Sequence, residues 1–129
     1  MTQRLYPFLY VDDVPAYLDF LNKAFGFERR SYHVDPADSE HVHAEMTLGD
    51  AVLMISHATR KFGTVSPRAL DRLPAAIYAY VDDVDAHCRR ARAAGATIKD
   101  EPEDKPWGDR MYTARDCEGH EWYFAARPA

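Results

Sequence analysis

The feature that most constrains the fold is an internal repeat that divides the chain into two similar halves. Residues 10–14 (YVDDV) are identical to residues 80–84 in a chain of 129 residues. A repeat unit of about half the chain is too long for a solenoid repeat and is typical of a duplicated module. We therefore predict a single domain of two modules, at about residues 1–60 and 72–129, joined by a long loop.

Each half begins with the pattern of a strand followed by a helix. Residues 5–11 are apolar or aromatic throughout, which favours a strand. Asp12 or Asp13 can cap the following helix, because an aspartate carboxylate accepts a hydrogen bond from a free N–H of the first turn. Apolar residues then recur at helical spacing as far as Gly26. The corresponding glycine in the second half is Gly95, which is offset by one residue from the repeat.

Three strands are predicted after each helix, so that each half is a β-α-β-β-β module of an α+β fold. The predicted strands are residues 27–33, 42–48, 51–56, 97–100, 110–115 and 121–126. Gly49 and Gly119 mark a hairpin turn in each half. Residues 35–40 and 57–74 are rich in Pro, Ser, Asp and Gly and are predicted to be loops.

The charge and apolar content of the sequence argue against two classes of binding partner, nucleic acids and membranes. A formal net charge of −5 argues against general nucleic-acid binding, which requires a basic surface. No apolar segment is long enough to span a membrane, and the N-terminus lacks the pattern of a signal peptide. We therefore expect a cytoplasmic protein without a membrane partner. Cys88 and Cys117 match no zinc motif and are expected to stay reduced.

The repeated motif and the end of the chain resemble the vicinal oxygen chelate superfamily, which includes glyoxalases, bleomycin-resistance proteins and extradiol dioxygenases. Residues 107–110 (WGDR) and 116–122 (DCEGHEW) are similar to the ending of its glyoxalase-like or PhnB-like branch, with Cys117 in place of the usual proline. The resemblance covers almost the whole chain. It implies two curved sheets around a cavity, helices outside, and commonly a homodimer, while one fold hosts many functions.

The resemblance also implies where a metal would bind. Glyoxalase-type members hold a divalent metal with a His or Gln early in the first strand of each module and a Glu in the last strand. The matching positions in this sequence are Tyr6, Leu53 or Met54, Ala76 and Tyr123. None of these side chains is a usual ligand for such a metal. We therefore expect no cofactor and neither glyoxalase nor dioxygenase activity.

A displaced site is the alternative. His41, His43 and Glu45 alternate along one predicted strand, and the period of two places them on the same face. They could supply a displaced divalent-metal site, or His43 and Glu45 could act as a general acid and base. A solvated polar face, or one that donates hydrogen bonds to a ligand, is the remaining interpretation.

The cavity wall predicted by alternation is aromatic. Tyr6, Phe8 and Tyr10 share the face of the ligand-equivalent position in the first module, as Tyr78 and Tyr80 do in the second. The opposite side, which should face the helices, carries Leu5, Leu9, Val11, Ile77 and Val81. Such a wall either binds a flat ligand, with its phenol groups as polar contacts, or fills the cavity as ordinary core.

Other candidate ligand contacts lie near the seventh strand and in the last one. They are Trp107, Arg110, Tyr112 and Tyr123. Arg110 could bind a carboxylate or phosphate of a ligand, or it could form an ion pair with Asp109, Asp116 or Glu45.

Three functions remain open on the sequence alone. The leading hypothesis is a metal-independent protein that binds a small aromatic or planar molecule. The second is a lyase or isomerase that uses His43 and Glu45, with a displaced metal or none. The third is a structural or regulatory dimer without a ligand, in which the loop at residues 57–74 serves association.

Overall fold

The structure is a computed structural model that describes residues 2–128. Its elements in chain order are β1 (Phe8–Val11), α1 (Val14–Phe20), a π-helix (Leu21–Phe25), β2 (Glu28–Asp35), β3 (Asp38–Leu48), β4 (Ala51–His57), two 3-10 turns (Arg60–Phe62 and Pro67–Ala69), β5 (Ile77–Tyr80), α2 (Val84–Ala93), β6 (Thr97–Asp104), β7 (Arg110–Arg115) and β8 (Glu121–Ala126). Within the described range, no helix has the length and apolar character needed to cross a membrane.

The strands form two four-stranded sheets with the same order, β1-β4-β3-β2 and β5-β8-β7-β6. In each sheet the first strand pairs with the last in parallel, and the other pairs are antiparallel. The predicted α+β fold with tandem β-α-β-β-β modules is therefore confirmed.

Several predicted boundaries change. The first strand begins at Phe8, and Leu5 lies outside it with 93% of its surface exposed, so the expectation that Leu5 faces the helices is wrong. Pro7 explains this limit, because proline has no N–H for the ladder. A tight turn at Pro36 and Ala37 replaces most of the loop predicted for residues 35–40, and β6 extends to Asp104.

The offset between the two glycines has a structural cause in the first helix. The π-helix at Leu21–Phe25 accommodates one extra residue, as π-bulges do, so Gly26 falls one position later than Gly95. Both glycines end their helices with positive φ, at 82° and 100°. At the other end, Asp13 and Asp83 cap the helices by accepting the backbone N–H three residues on.

One apolar core joins the two modules. It is formed by the buried sides of both helices and by the sheet faces that pack on them. Phe25, at the end of the π-helix, lies 5.3 Å from the ring of Trp122 and 4.7 Å from that of Phe124. The helix-facing residues of β8 therefore pack against the helix of the other module.

Two buried carboxylates, Glu118 and Asp116, belong to a polar contact between the modules. We call this contact the module joint. Glu118, in the turn between β7 and β8, accepts hydrogen bonds from the backbone N–H groups of Asp12 (2.8 Å) and Asp13 (3.1 Å) and from the Ser66 hydroxyl (2.7 Å). Asp116 accepts the Tyr17 hydroxyl at 2.6 Å, and burial raises the pKa of this carboxyl. The second module thus holds the start of α1.

His87 and Arg90 of α2 complete the module joint. The carbonyl oxygen of Phe25 can only accept, so Nε2 of His87 donates to it at 3.1 Å, and Nδ1 accepts the Tyr112 hydroxyl at 2.6 Å. Burial lowers the pKa of His87, which favours this neutral form. Arg90 donates to the carbonyl oxygens of Asn22 and Lys23 in the last turn of the first helix, and the Asn22 oxygen also accepts the Gly26 N–H.

Candidate functional site

Each sheet has one side that points away from the shared core. On the first module we call this side the first face, and it carries Phe8, Tyr10, His41, His43, Glu45, Met54 and Ser56. The second face, on the second module, carries Tyr78, Tyr80, Thr113, Arg115, Glu121 and Tyr123. Phe8 is 43% exposed, Tyr78 42% and Tyr80 55%. The two faces do not cover each other within one chain.

A buried carboxylate organises the second face. One oxygen of Asp109 accepts the hydroxyls of Tyr78 (2.6 Å) and Tyr80 (2.8 Å), and the other accepts Nε of Arg127 (2.9 Å). The indole N–H of Trp107 donates to the Tyr78 oxygen at 3.2 Å. The hydrogen bond from Tyr78, followed by those from Tyr80 and Arg127, holds the pKa of Asp109 below its usual value despite burial. The rings are therefore held in place by an ionised side chain.

The turn before β7 positions this carboxylate. Gly108 has a φ of 100°, which glycine adopts without strain, and Lys105 N–H bonds to the Asp109 carbonyl at 2.7 Å. The turn exposes Trp107 and buries Asp109. The sequence motif at residues 107–110 singled out this segment, but the role of Asp109 in holding two tyrosines was missed.

The tyrosines of the second face remain protonated near neutral pH. Burial and the hydrogen bond to Asp109 raise the pKa of Tyr78. The pKa of Tyr80 is raised mainly by its own hydrogen bond to Asp109. Tyr123 lies beside Tyr78 with its ring centroid 6.0 Å away, and its hydroxyl donates to Glu121 at 3.0 Å. These phenols can offer oxygen lone pairs and ring faces to a ligand, but not a ready base.

On the first face, aromatic rings lie beside a histidine and a glutamate that contact each other. The ring of Phe8 lies 5.3 Å from that of Tyr10 and 5.8 Å from that of His43. Nε2 of His43 is 3.0 Å from a carboxylate oxygen of Glu45, whose other oxygen is 3.4 Å from Nε of Arg30. The predicted His43–Glu45 contact is therefore present beside the aromatic residues.

Strand pairing decides between Leu53 and Met54 as the position that, by the resemblance, corresponds to the last-strand metal ligand of glyoxalase-type proteins. Phe8 pairs with Met54 in the same way that Tyr78 pairs with Tyr123, while Leu53 is buried in the core. The equivalent positions are therefore Tyr6, Met54, Ala76 and Tyr123. A methyl group, a thioether and two phenols do not fit the nitrogen and carboxylate donors that such a divalent metal requires.

The displaced set of ligands is not assembled either. His41 contacts Asp35 at 3.2 Å, whereas His43 contacts Glu45. Across residues 2–128, no group of three or more His, Cys, Asp or Glu side chains is arranged to hold a metal ion. The alternative of a metal held by His41, His43 and Glu45 therefore lacks support.

Two residues predicted to contact the ligand lie on the opposite side of the second sheet. Arg110 binds both carboxylate oxygens of Asp85 at 2.9 Å and one oxygen of Asp104 at 3.2 Å, rather than the acidic partners expected from the sequence. Tyr112 is fully buried and bonds to His87. The register of β7 with β8 is the cause, because it turns Thr113 and Arg115 toward the second face.

Tyr6 lies before β1 and lines an open cleft of about 520 Å³ together with Arg4 and Arg30. A smaller apolar groove of about 250 Å³ lies between the modules and is lined mainly by residues on the core side of both sheets, among them Leu53, Ile77 and Trp122. The openness of the second face is shown instead by the exposure of Tyr78 and Tyr80, which do not fill a closed core.

Comparison with known proteins agrees with this geometry. The chain is 34% identical over 121 residues to uncharacterized proteins of Mycobacterium bovis and Mycobacterium tuberculosis, covering 92% of this chain and 79% and 71% of theirs. Its structure is similar to TioX from Micromonospora sp. ML1, with a TM-score of 0.74 and 29% identity over 98% of this chain and 100% of that one. The fosfomycin resistance protein FosX of Listeria monocytogenes shares the fold, with a TM-score of 0.74 and 17% identity over 99% and 93% of the two chains.

The family model described as Glyoxalase/Bleomycin resistance protein/Dioxygenase superfamily matches residues 4–124, which is nearly the whole chain. The paired modules, their strand order and this match lead to the same assignment. The chain belongs to the glyoxalase/bleomycin resistance protein/dioxygenase superfamily.

Proposed function

We propose that this protein binds a small planar or aromatic molecule on its second face and does so without the divalent metal of its glyoxalase-type relatives. The observation that carries this proposal is the set of half-exposed tyrosines held in place by Asp109. One of the residues beside them, Tyr123, stands where a metal ligand would stand in those relatives. The WGDR motif supports membership of the glyoxalase-like or PhnB-like branch.

Tyr78, Tyr80 and Trp107 suit a flat ligand for a physical reason. Aromatic pairs gain about 0.5–1.5 kcal/mol beyond the burial of their area, and rings already fixed by hydrogen bonds lose little entropy on binding. Asp109 supplies that fixation from a buried position. A ligand would therefore meet a preformed wall, with phenol oxygens as its polar contacts.

A second copy of the chain would complete the site. Half-exposed rings on both faces of one chain, such as Phe8 and Tyr80, favour an arrangement in which the first face of one copy covers the second face of the other. We infer a homodimer with two such sites. Sedimentation analysis tests this: a monomer at micromolar concentration that still binds ligand would contradict the shared cavity.

The binding proposal can be tested with metal-stripped protein and a panel of planar aromatic compounds of one to three rings. We expect some compounds to bind, chelator to have no effect, and the double substitution Tyr78→Ala, Tyr80→Ala to weaken binding at least about 10-fold. Tyr32→Ala is the matched control, because Tyr32 is exposed on β2 away from both faces. Equal losses in both variants, or no binding by any compound, would contradict the proposal and favour a ligand-free dimer associated through residues 57–74.

A lyase or isomerase is the second candidate, favoured by the 3.0 Å contact between His43 and Glu45 on the first face. Glu45 can orient the imidazole so that Nδ1 exchanges a proton with a bound molecule. The test is turnover of compounds found in the binding screen. His43→Ala and Glu45→Gln should abolish turnover, while His41→Ala, on the same strand but bonded to Asp35, should not.

A further inference from the structure

We propose that Arg115 recognises an anionic group, a carboxylate, sulfonate or phosphate, on the aromatic ligand of the second face. This inference rests on the proposed function and specifies the chemical class of the ligand. It replaces Arg110 as the anion contact, because Arg110 lies on the helix side of the sheet with its guanidinium committed to Asp85 and Asp104.

The two terminal guanidinium nitrogens of Arg115 remain available for a ligand. Its side chain is 40% exposed, and its only hydrogen bond among the described residues runs from Nε to Glu121, at a long 3.4 Å. The two terminal nitrogens therefore have no acceptor within residues 2–128. A planar guanidinium with both terminal nitrogens unengaged matches the two oxygens of a carboxylate or phosphate. Arg127, on the same face, already uses two nitrogens on Asp109 and Tyr80.

Neighbouring residues hold Arg115 beside the aromatic wall. Glu121 binds Lys99 at 2.8 Å and accepts the Tyr123 hydroxyl at 3.0 Å, and the salt bridge with Lys99 is the main cause of its lowered pKa. Thr113 pairs directly with Tyr123, so Arg115 is the diagonal neighbour of that ring on the same face. A ligand ring that stacks on Tyr123 would therefore place a substituent within reach of the Arg115 guanidinium.

The local charges determine how strongly an anion binds. Lys99 largely neutralises Glu121, and Asp100, on the adjacent strand, forms no salt bridge with Arg115 in the described part of the chain. The attraction comes from directed hydrogen bonds to one guanidinium rather than from a broad positive field. Recognition should therefore depend on the shape of the anion, and only moderately on ionic strength.

The test compares the panel compounds as carboxylates and as the corresponding primary amides, which are neutral and similar in shape. Binding is measured by calorimetry on the full chain at low and high salt. We expect the carboxylate to bind about 10-fold more tightly than its amide, as a charge-assisted hydrogen bond predicts. Arg115→Gln should remove this preference, because carboxylate binding should fall to about the strength of amide binding, and Arg115→Lys should retain part of the preference.

Arg89→Gln is the matched control, because it removes the same charge from the exposed surface of α2, and it should retain the full preference. Amides that bind as tightly as carboxylates in the unsubstituted protein would overturn the role of Arg115 but leave the aromatic site intact. Equal losses of amide and carboxylate binding in Arg115→Gln would also overturn it. If no compound in either form binds, both proposals fail.

Discussion

The module joint and the second face both combine carboxylates with aromatic rings, but they treat those groups differently. In the module joint, Glu118 and Asp116 are buried, and each receives several hydrogen bonds from the opposite module or its own turn. On the second face, Asp109 is buried in the same way, yet the rings of Tyr78 and Tyr80 that it holds remain half exposed. The comparison indicates that the joint stabilises the contact between the modules, whereas the second face keeps its aromatic rings fixed but exposed to solvent.

The largest effect is expected in the module joint. Glu118→Ala removes the acceptor of Asp12 N–H, Asp13 N–H and the Ser66 hydroxyl, which should lower the free energy of unfolding by about 3 kcal/mol. Urea unfolding followed by circular dichroism measures this loss. Glu103→Ala, at an exposed ion pair with Lys105, should cost less than about 0.5 kcal/mol. Similar losses in the two variants would remove the distinction drawn for the joint.

Asp109→Asn tests whether the second face depends on its buried carboxylate. The substitution weakens the acceptor of Tyr78 and Tyr80 and leaves Arg127 without its charged partner, so we expect a loss of about 1–2 kcal/mol in stability. Binding of aromatic compounds should weaken as well, since the rings are no longer fixed. Asp104→Asn, an exposed carboxylate beside Arg110, is the control for charge. Unchanged binding in Asp109→Asn would show that fixation of the rings is unnecessary.

The pH dependence of stability tests His87 in the module joint. Burial lowers its pKa below the ordinary value of 6.5, so the unfolded chain takes up the proton at a higher pH than the folded chain. The stability contribution of neutral His87 is complete above that ordinary value and is lost as the pH falls from it toward the folded pKa. Between pH 7 and 5 we expect a loss on the order of 1 kcal/mol.

The comparison protein for this measurement is His87→Gln, which keeps an amide donor and acceptor but does not titrate. The difference between the two unfolding free energies isolates His87 from Asp116 and the other titrating groups. A difference that stays constant from pH 7 to 5 would contradict a buried neutral imidazole.

The smallest effect on stability is expected at the edge of the second face. Trp107 is exposed, and its only described hydrogen bond is to the Tyr78 oxygen, so Trp107→Ala should change stability by less than about 0.5 kcal/mol. The same substitution should weaken aromatic ligands several-fold, which calorimetry measures. Trp107→Phe, which keeps a ring, should retain most of the binding. A large loss of stability without a change in binding would reverse the roles assigned to face and joint.

The sequence by itself determined the two modules and the aromatic positions of the two faces. Helix capping, apolar periodicity and strand alternation act between near neighbours, so a single sequence records them. The choice of Asp13 over Asp12 as the cap of the first helix required the structure. The aromatic character of positions 8, 10, 78, 80 and 123 follows from the same alternation.

Tertiary structure alone decided which of these residues meet. The register of β7 against β8 places Arg110 and Tyr112 on the helix side of the sheet and Arg115 on the second face. The pairing of β4 with β1 decides that Met54, and not Leu53, corresponds to the last-strand ligand position. Asp109 and Glu118 contact residues far away in the sequence, and no local pattern records those partners. Long-range register and buried polar contacts arise only when the sheets and helices pack, because that packing fixes which buried donors require which acceptors.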